Sequence, residues 1–316
     1  MEIHVNEWEK VQLDKTARLI FDSRLGALGE INTVVIRLKS LRMELSPNPV
    51  YIIQAVEKEK LVGWLMLHLM NGSTVELNPG SLLKGHPVIS PEMNFHKISS
   101  RLIEEAINWT KKEKFKKIDL TIPIEEEEAK NRDFLDFYGT YGFKKTYFCM
   151  QCELFEQKID QVMIPEDFEI KQLKMLNHED IYRCYYDAFN TGQSPFFFEQ
   201  SETEKRDYFD TLLTEITLNE EASLAILKGN QLVGFTLVAP IFGETNKHLN
   251  CICIRPDFRK KGLGRNLLAA TMKKVVKQGN RTMTLYTDVF NTRGIDLYQK
   301  NGFKEGGGTI TYLWEE

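Results

Sequence analysis

Ile252-Cys253-Ile254-Arg255-Pro256-Asp257-Phe258-Arg259-Lys260-Lys261-Gly262-Leu263-Gly264-Arg265 is the stretch from which the rest of the chain can be read. The apolar run Leu249 to Ile254 reads as a strand. Arg265 to Gln278 reads as a helix, with Leu267, Leu268, Met272 and Val275 as its buried stripe. A basic glycine loop between strand and helix can hold a phosphate. Glycine lets the backbone come close to a ligand. The first helical amides have no internal partners, and the helix dipole adds positive potential there. Lys260, Lys261 and Arg265 supply full charges around it. Two other phosphate motifs do not fit. No Gly-Lys-Ser/Thr exists for a Walker loop, and Leu267 follows Asn266 where a dinucleotide fingerprint needs a third glycine.

Outward from this loop, the second half reads as alternating strands and helices. Phe168 to Leu173, Ala222 to Lys228, Leu232 to Ile241, Thr282 to Thr287 and Phe303 to Trp314 are strand candidates. Glu179 to Phe189, Glu204 to Thr217 and Thr292 to Lys300 are helix candidates. The first half has the same order. Helical spacing runs through residues 8 to 44, broken near Gly26 and Gly29. A hairpin, Val50 to Val56 and Leu61 to Met70, follows, then a loop from Asn78 to Pro91. After these come helix Ile98 to Glu113, strand Lys117 to Ile122, helix Asn131 to Tyr138 and a final strand reaching Leu154.

Residues repeat as well as order. Leu61-Val62-Gly63-Trp64 answers Leu232-Val233-Gly234-Phe235, and Phe137-Tyr138 with Gly142-Phe143 answers Leu297-Tyr298 with Gly302-Phe303. The offsets, 171 and 160 residues, fit one duplication with small insertions. We therefore expect an α/β (α+β) chain of two tandem domains, 1–160 and 161–316, each a central mixed β-sheet flanked by helices.

The totals set limits. The chain has 316 residues and a formal net charge of -4, so no global field draws it to nucleic acid or an anionic membrane. No apolar run spans a bilayer, and the start lacks the pattern of a secretory leader. Five cysteines, an odd number, suit a reducing compartment better than a disulfide framework, so the location expected is cytoplasmic. Cys149 and Cys152 lie three apart in a strand, which sends them to opposite faces and argues against a metal site.

On these residues the second half resembles the GNAT superfamily, the acetyl-CoA-dependent N-acyltransferases. That family carries Arg or Gln, two residues, Gly, one residue, then Gly or Ala, opening a helix. Here it is Arg259-Lys260-Lys261-Gly262-Leu263-Gly264, after the Ile254-Arg255-Pro256 lead. A second signature is Asn291 seven residues before Tyr298, with Gly302-Phe303 following. The first half resembles the same fold, but Val88 to His96 has no such loop, so a degenerate first domain of structural role is expected.

The resemblance implies site residues. The amides of Lys260 through Gly264 would cradle the CoA pyrophosphate, with Arg259 orienting the loop. The strand amides at Ile252, Cys253 and Ile254 would polarise the thioester carbonyl. Asn291 would bond the pantetheine arm, or cap its helix, as Asn favours. Tyr298 would protonate the departing thiolate. Some members place a Glu base six residues before the lead. Here that position is His248, a base of ordinary pKa near 6.5, with Glu244 a second candidate. Strand parity puts His248, Asn250, Ile252 and Ile254 on one face. Thr191 to Glu199, with Phe196-Phe197-Phe198, would contribute a pocket wall or a buried plug. The acceptor would be an amine of a small molecule or peptide, the donor acetyl-CoA, and the protein a monomer or homodimer. The competing reading is a non-catalytic acyl-CoA-binding regulatory or scaffold protein.

Overall fold

The computed structural model describes residues 1–23, 30–70, 73–79, 85–124, 132–191, 197–198, 200–214, 221–240 and 246–316. The chain divides into two compact units. The first is residues 1–146 with 308–316, and the second is 147–307.

In the first unit the sheet order is β1 (Glu2–Glu7), β2 (Val50–Glu57), β3 (Lys60–Leu69), β4 (Thr74–Leu77), β6 (Lys117–Ile124) and β13 (Lys304–Glu315). The two-residue β5 (Val88–Ile89) joins β3 at Gly63 and Trp64. Helices α1 (Leu13–Ser23) and α2 (Ile31–Glu44) bury Ala17, Ile20, Val34 and Leu38 against Ile52, Trp64 and Met66. The amphipathic helix α3 (Phe95–Lys112) buries Ile98, Leu102, Ile103 and Ala106, and α4 is Arg132–Gly139. Strands β1 and β4 fall outside the elements expected from sequence. β1 reads Glu-Ile-His-Val-Asn-Glu, with charged ends and no strong apolar run, and it pairs with β2 alone.

In the second unit the order is β8 (Phe168–Gln172), β9 (Leu224–Lys228), β10 (Gln231–Pro240), β11 (Asn246–Ile254), β12 (Thr282–Asp288) and β7 (Lys144–Glu153). One face carries α5 (His178–Phe189) and α6 (Glu202–Thr214), which pack on Phe235, Leu237, Cys251 and Cys253. The other carries α7 (Leu263–Lys277), whose Leu263 and Leu267 pack on Val233 and Ile254. Helix α8 is Thr292–Lys300. Each unit is thus a mixed sheet with helices, as expected.

The internal duplication is visible in hydrogen bonds. The Gly142 amide bonds the Gly139 carbonyl and the Phe143 amide bonds that of Tyr138; Gly302 to Gln299 and Phe303 to Tyr298 repeat the pair. Both glycines are left-handed, at φ +87° and +90°, a conformation other residues enter at a cost.

The division into units does not coincide with a boundary at 160/161. Tyr147–Glu153 of β7 pairs with β12 of the second unit. Gly308–Glu315 of β13 pairs with β6 of the first. Each half of the sequence supplies the last strand of the other. Both strands follow a Gly-Phe turn and alternate apolar residues, so pattern alone does not say which sheet each one closes.

Ile310, Tyr312 and Trp314 are buried in the first unit. Burying a side chain of that size stabilises by roughly 1.5–3 kcal/mol. Deleting residues 308–316 should therefore unfold the first unit and leave the second intact. Hydrogen exchange with mass spectrometry reads this directly, and retained protection of the β6 amides would contradict it.

Candidate functional site

Strands β11 and β12 are parallel neighbours only from Asn246–His248 against Thr282–Thr284. β11 continues to Ile254 and β12 to Asp288 without pairing. On its other side β11 stays paired with β10 as far as Ile254. The two strands therefore part, and backbone groups of β11 that face the gap lack sheet partners. Such groups need a partner of some kind.

The parting coincides with a β-bulge. Cys251 lies opposite Leu237 and Leu249 opposite Val238, so Asn250 is an extra residue. This corrects the expected parity. Ile254 packs toward α7, and Ile252 shares its face. His248 pairs with Ala239, two residues beyond Leu237. It therefore faces the side of Cys251 and Cys253, toward α5 and α6.

The glycine loop leaves β11 through Arg255, whose amide bonds the Val233 carbonyl at 2.8 Å. Arg259 spends its fork on the protein itself. Nε donates to the Ile254 carbonyl at 2.9 Å, Nη1 to Thr191 Oγ1 at 3.2 Å and Nη2 to the Ala188 carbonyl at 2.5 Å. Burial lowers its basicity, and the nearby Arg293 charge adds to that. Arg259 thus fastens the loop to the end of α5. Arg265 pairs with Asp160 at 2.6 Å. Lys261 donates to the Asp257 carbonyl and lies over the Phe258 ring. Among the described residues the Lys260 ammonium has no hydrogen-bond or ion-pair partner. Of the expected cations, Lys260 is the one left for a ligand. Arg293, in the first turn of α8, was missed from sequence; its signal is a cation two residues after Asn291.

Gly262 caps α7 at φ +76°, with no side-chain hydrogen bond to the cap and no acid in the first turn. The first amides of α7 are therefore open. At Gly264 an added Cβ would meet only Ile254 Cγ1 at 3.6 Å and Leu297 Cδ2 at 3.7 Å. Those are ordinary contacts, and Gly264 is not left-handed. Nothing in the protein's own packing requires glycine there, which fits space kept for a ligand.

Asn291 caps α8. Its Oδ1 accepts from the Gly294 amide at 3.1 Å and its Nδ2 donates to Thr287 Oγ1 at 3.2 Å. The capping alternative is thus realised. Tyr298 is 7% exposed and packs on Phe303. Burial raises its phenol pKa, with the Cys251 and Cys253 thiols as further neighbours. Among the described residues its hydroxyl has no hydrogen-bond partner.

His248 is half-buried. Its Nδ1 lies 2.9 Å from Thr284 Oγ1 and its ring 5.2 Å from that of Tyr286. Burial pushes its pKa down to about 4. The expectation of an ordinary histidine base is corrected accordingly. Glu244, Phe196, Glu199 and most of the 191–199 segment lie outside the described residues. Phe197 is buried against Tyr185, Tyr186 and Phe189, while Phe198 is exposed. All five cysteines are buried and free. Among the described residues no cluster of His, Cys, Asp or Glu suits a metal ion, and no helix is long and apolar enough to cross a membrane.

The first unit treats the same positions differently. Asn94 caps α3 by accepting from the Lys97 amide at 2.9 Å. Tyr138, the counterpart of Tyr298, has its hydroxyl 2.8 Å from His86 Nδ1. The β4–β6 pairing ends at Leu77 and Leu120. Just beyond it, a Cβ on Gly85 would lie 2.1 Å from the Thr121 carbonyl oxygen. Its own backbone fills that place.

A profile of the Acetyltransferase (GNAT) family matches residues 179–303, which contain the bulged strand, the open helix terminus and Tyr298. Over residues 179–303 the chain carries the GNAT-family pattern. An uncharacterized N-acetyltransferase, YhfO of Bacillus subtilis, is 31% identical over 99 residues, 30% of this chain and 66% of that one, just under two thirds of its length. Two solved structures share the fold over the whole chain. A GCN5-related N-acetyltransferase from Sphaerobacter thermophilus has a TM-score of 0.58 at 13% identity, covering 99% of this chain and 95% of its own. A tandem GNAT protein from the clavulanic acid biosynthesis pathway has 0.56 at 13% identity, covering 99% and 98%.

His248 makes folding of this chain sensitive to acid. The folded state holds the imidazole neutral, while the unfolded chain takes up a proton below the ordinary value of 6.5. Its contribution is intact above that pH and is lost as pH falls toward about 4. Replacing His248 with Gln should flatten the fall in urea midpoint across this window; an unchanged slope would count against the buried neutral imidazole.

Proposed function

We propose that the second unit transfers an acetyl group from acetyl-CoA to a primary amine of a small molecule or peptide, in one ternary complex. The carrying observation is the open α7 terminus with an unfilled place at Gly264, beside the slot left where β11 and β12 part. The donor, when bound, supplies an activated thioester. The amides of Leu263, Gly264 and Arg265 would receive pyrophosphate oxygens, with Lys260 adding charge. The unpaired β11 amides at Ile252 to Ile254 would hydrogen-bond the thioester oxygen as charge develops on it. Arg259 positions the loop through α5 and makes no phosphate contact in this scheme.

In the transfer, the amine nitrogen bonds the carbonyl carbon and the carbon–sulfur bond breaks. Tyr298 gives its phenol proton to the leaving thiolate; the nitrogen, positive once the N–C bond has formed, releases its second proton to solvent, from which Tyr298 recovers its own. Its raised pKa keeps the proton in place until then. His248 is already neutral at physiological pH and a weak base, poorly matched to an ammonium. It would accept a hydrogen bond from an amine that arrives deprotonated, with the ammonium proton passing to solvent.

The first unit would not bind the donor, because its helix is capped and Tyr138 is engaged. The non-catalytic reading draws support from the weak base at His248. Acetyl-CoA binding by calorimetry, together with CoA release across a panel of amines, separates the two. Tight binding without turnover would favour the non-catalytic protein.

Gly264→Glu should abolish acetyl-CoA binding without lowering the melting temperature; retained affinity would refute the cradle. Tyr298→Phe should cut kcat about 10²-fold, the lower range for a positioned proton donor, with donor affinity unchanged. The pH dependence of kcat/KM should rise with the free-amine fraction and show no inflection near the ordinary histidine pKa. An inflection there would restore His248 as the base.

A further inference from the structure

Five aromatic side chains of the second unit converge on the α5/α6 side of the slot. Tyr147 on β7 and Tyr286 on β12 stack with centroids 5.6 Å apart and planes 16° from parallel. His248 covers Tyr286 on another side. Tyr208 of α6, Tyr286, Tyr298 and the Asp288 carboxylate are close enough to Tyr147 to reinforce the effect of burial in holding its phenol protonated. Tyr147 lies directly opposite Asp288 at the end of the β7–β12 pairing.

Two of these rings are not closed core. Tyr147 and Tyr208 are each 40% exposed. Tyrosines that serve only to fill a core are buried like Tyr138 and Tyr185, at 1% and 3%. The wall they form has flat faces and few charges. His248 is neutral, and Asp288 is the one carboxylate of the group, with its Oδ1 accepting from the Phe290 amide at 2.7 Å. A polyamine would need a row of carboxylates, and an amino-sugar a dense set of hydrogen-bonding groups. Among the described residues neither is in this group. A flat ring gains from stacking on aromatic faces.

We infer that the acceptor is an arylalkylamine, its ring stacked on Tyr147 beside Tyr208 and its amino group directed to His248 and Tyr298. This rests on the donor reading above and names the class of its second substrate. The balance is that of the transfer already written: one N–C bond forms and one C–S bond breaks, the ammonium proton leaves to solvent before attack, Tyr298 protonates the thiolate, and the nitrogen's second proton goes to the solvent that reprotonates Tyr298.

The test uses the full chain, acetyl-CoA, and four acceptors: phenethylamine, tyramine, spermidine and glucosamine. CoA release should give kcat/KM at least about 10-fold higher for the two aryl amines. Tyr147→Ala should raise the KM for phenethylamine about 3- to 10-fold, the range of one aromatic pair. Tyr147→Phe should restore it, and acetyl-CoA affinity by calorimetry should stay at the wild-type value in both variants. Equal or better turnover of spermidine or glucosamine, turnover of none of the four, or an unchanged KM in Tyr147→Ala would overturn the inference while leaving the donor reading standing. Failure of the wild-type chain to bind acetyl-CoA would instead overturn the donor reading, and this inference with it.

Discussion

The site depends on two parallel strands that stop pairing. β11 and β12 hold together for three residues, and then the bulge at Asn250 turns β11 away. An unpaired strand edge inside a domain is costly unless something else bonds it. Here the edge lies beside an open helix terminus and an unpartnered phenol. Three sets of unsatisfied polar groups at one place are poor packing by themselves. As a receptacle for a polar chain ending in a thioester they are consistent with one another.

The two units show what closing that receptacle requires. Both carry the parallel pair, the helix after it, and the tyrosine before a Gly-Phe turn. In the first unit an asparagine satisfies the helix terminus, His86 satisfies the tyrosine, and Gly85 brings backbone against β6. Three local changes, each chemically small, convert an open place into ordinary core. The fold is retained because its sheet and helices never depended on the opening.

Much of this was legible in the sequence. The glycine loop, the repeated Gly-Phe turn and the helix carrying Tyr298 are local patterns, and local patterns survive into structure. Arg259 bonds the end of α5 and the residue just after it, partners about 70 residues away that no spacing rule reaches. The face of His248 was misread because parity counting assumes an unbroken strand, and one extra residue at Asn250 reverses it. Its depressed pKa was also hidden, since burial is a property of the assembled face. The ownership of the last strands was invisible for a different reason: two similar halves offer two similar edges, and alternation fits both.

That exchange of strands bears on how the chain comes to be folded at all. The first unit needs residues 308–316, which are synthesised after the rest of the second unit. While the second half is still being made, the β6 edge has no strand to cover it, and an open edge invites pairing with other chains. The first half must therefore wait, partly formed, until residues 308–316 have been made. A cut or fusion within the connecting segment near residue 160 would separate each sheet from a strand it needs. The duplicated halves have become one folding unit in time, although each remains a recognisable domain in space.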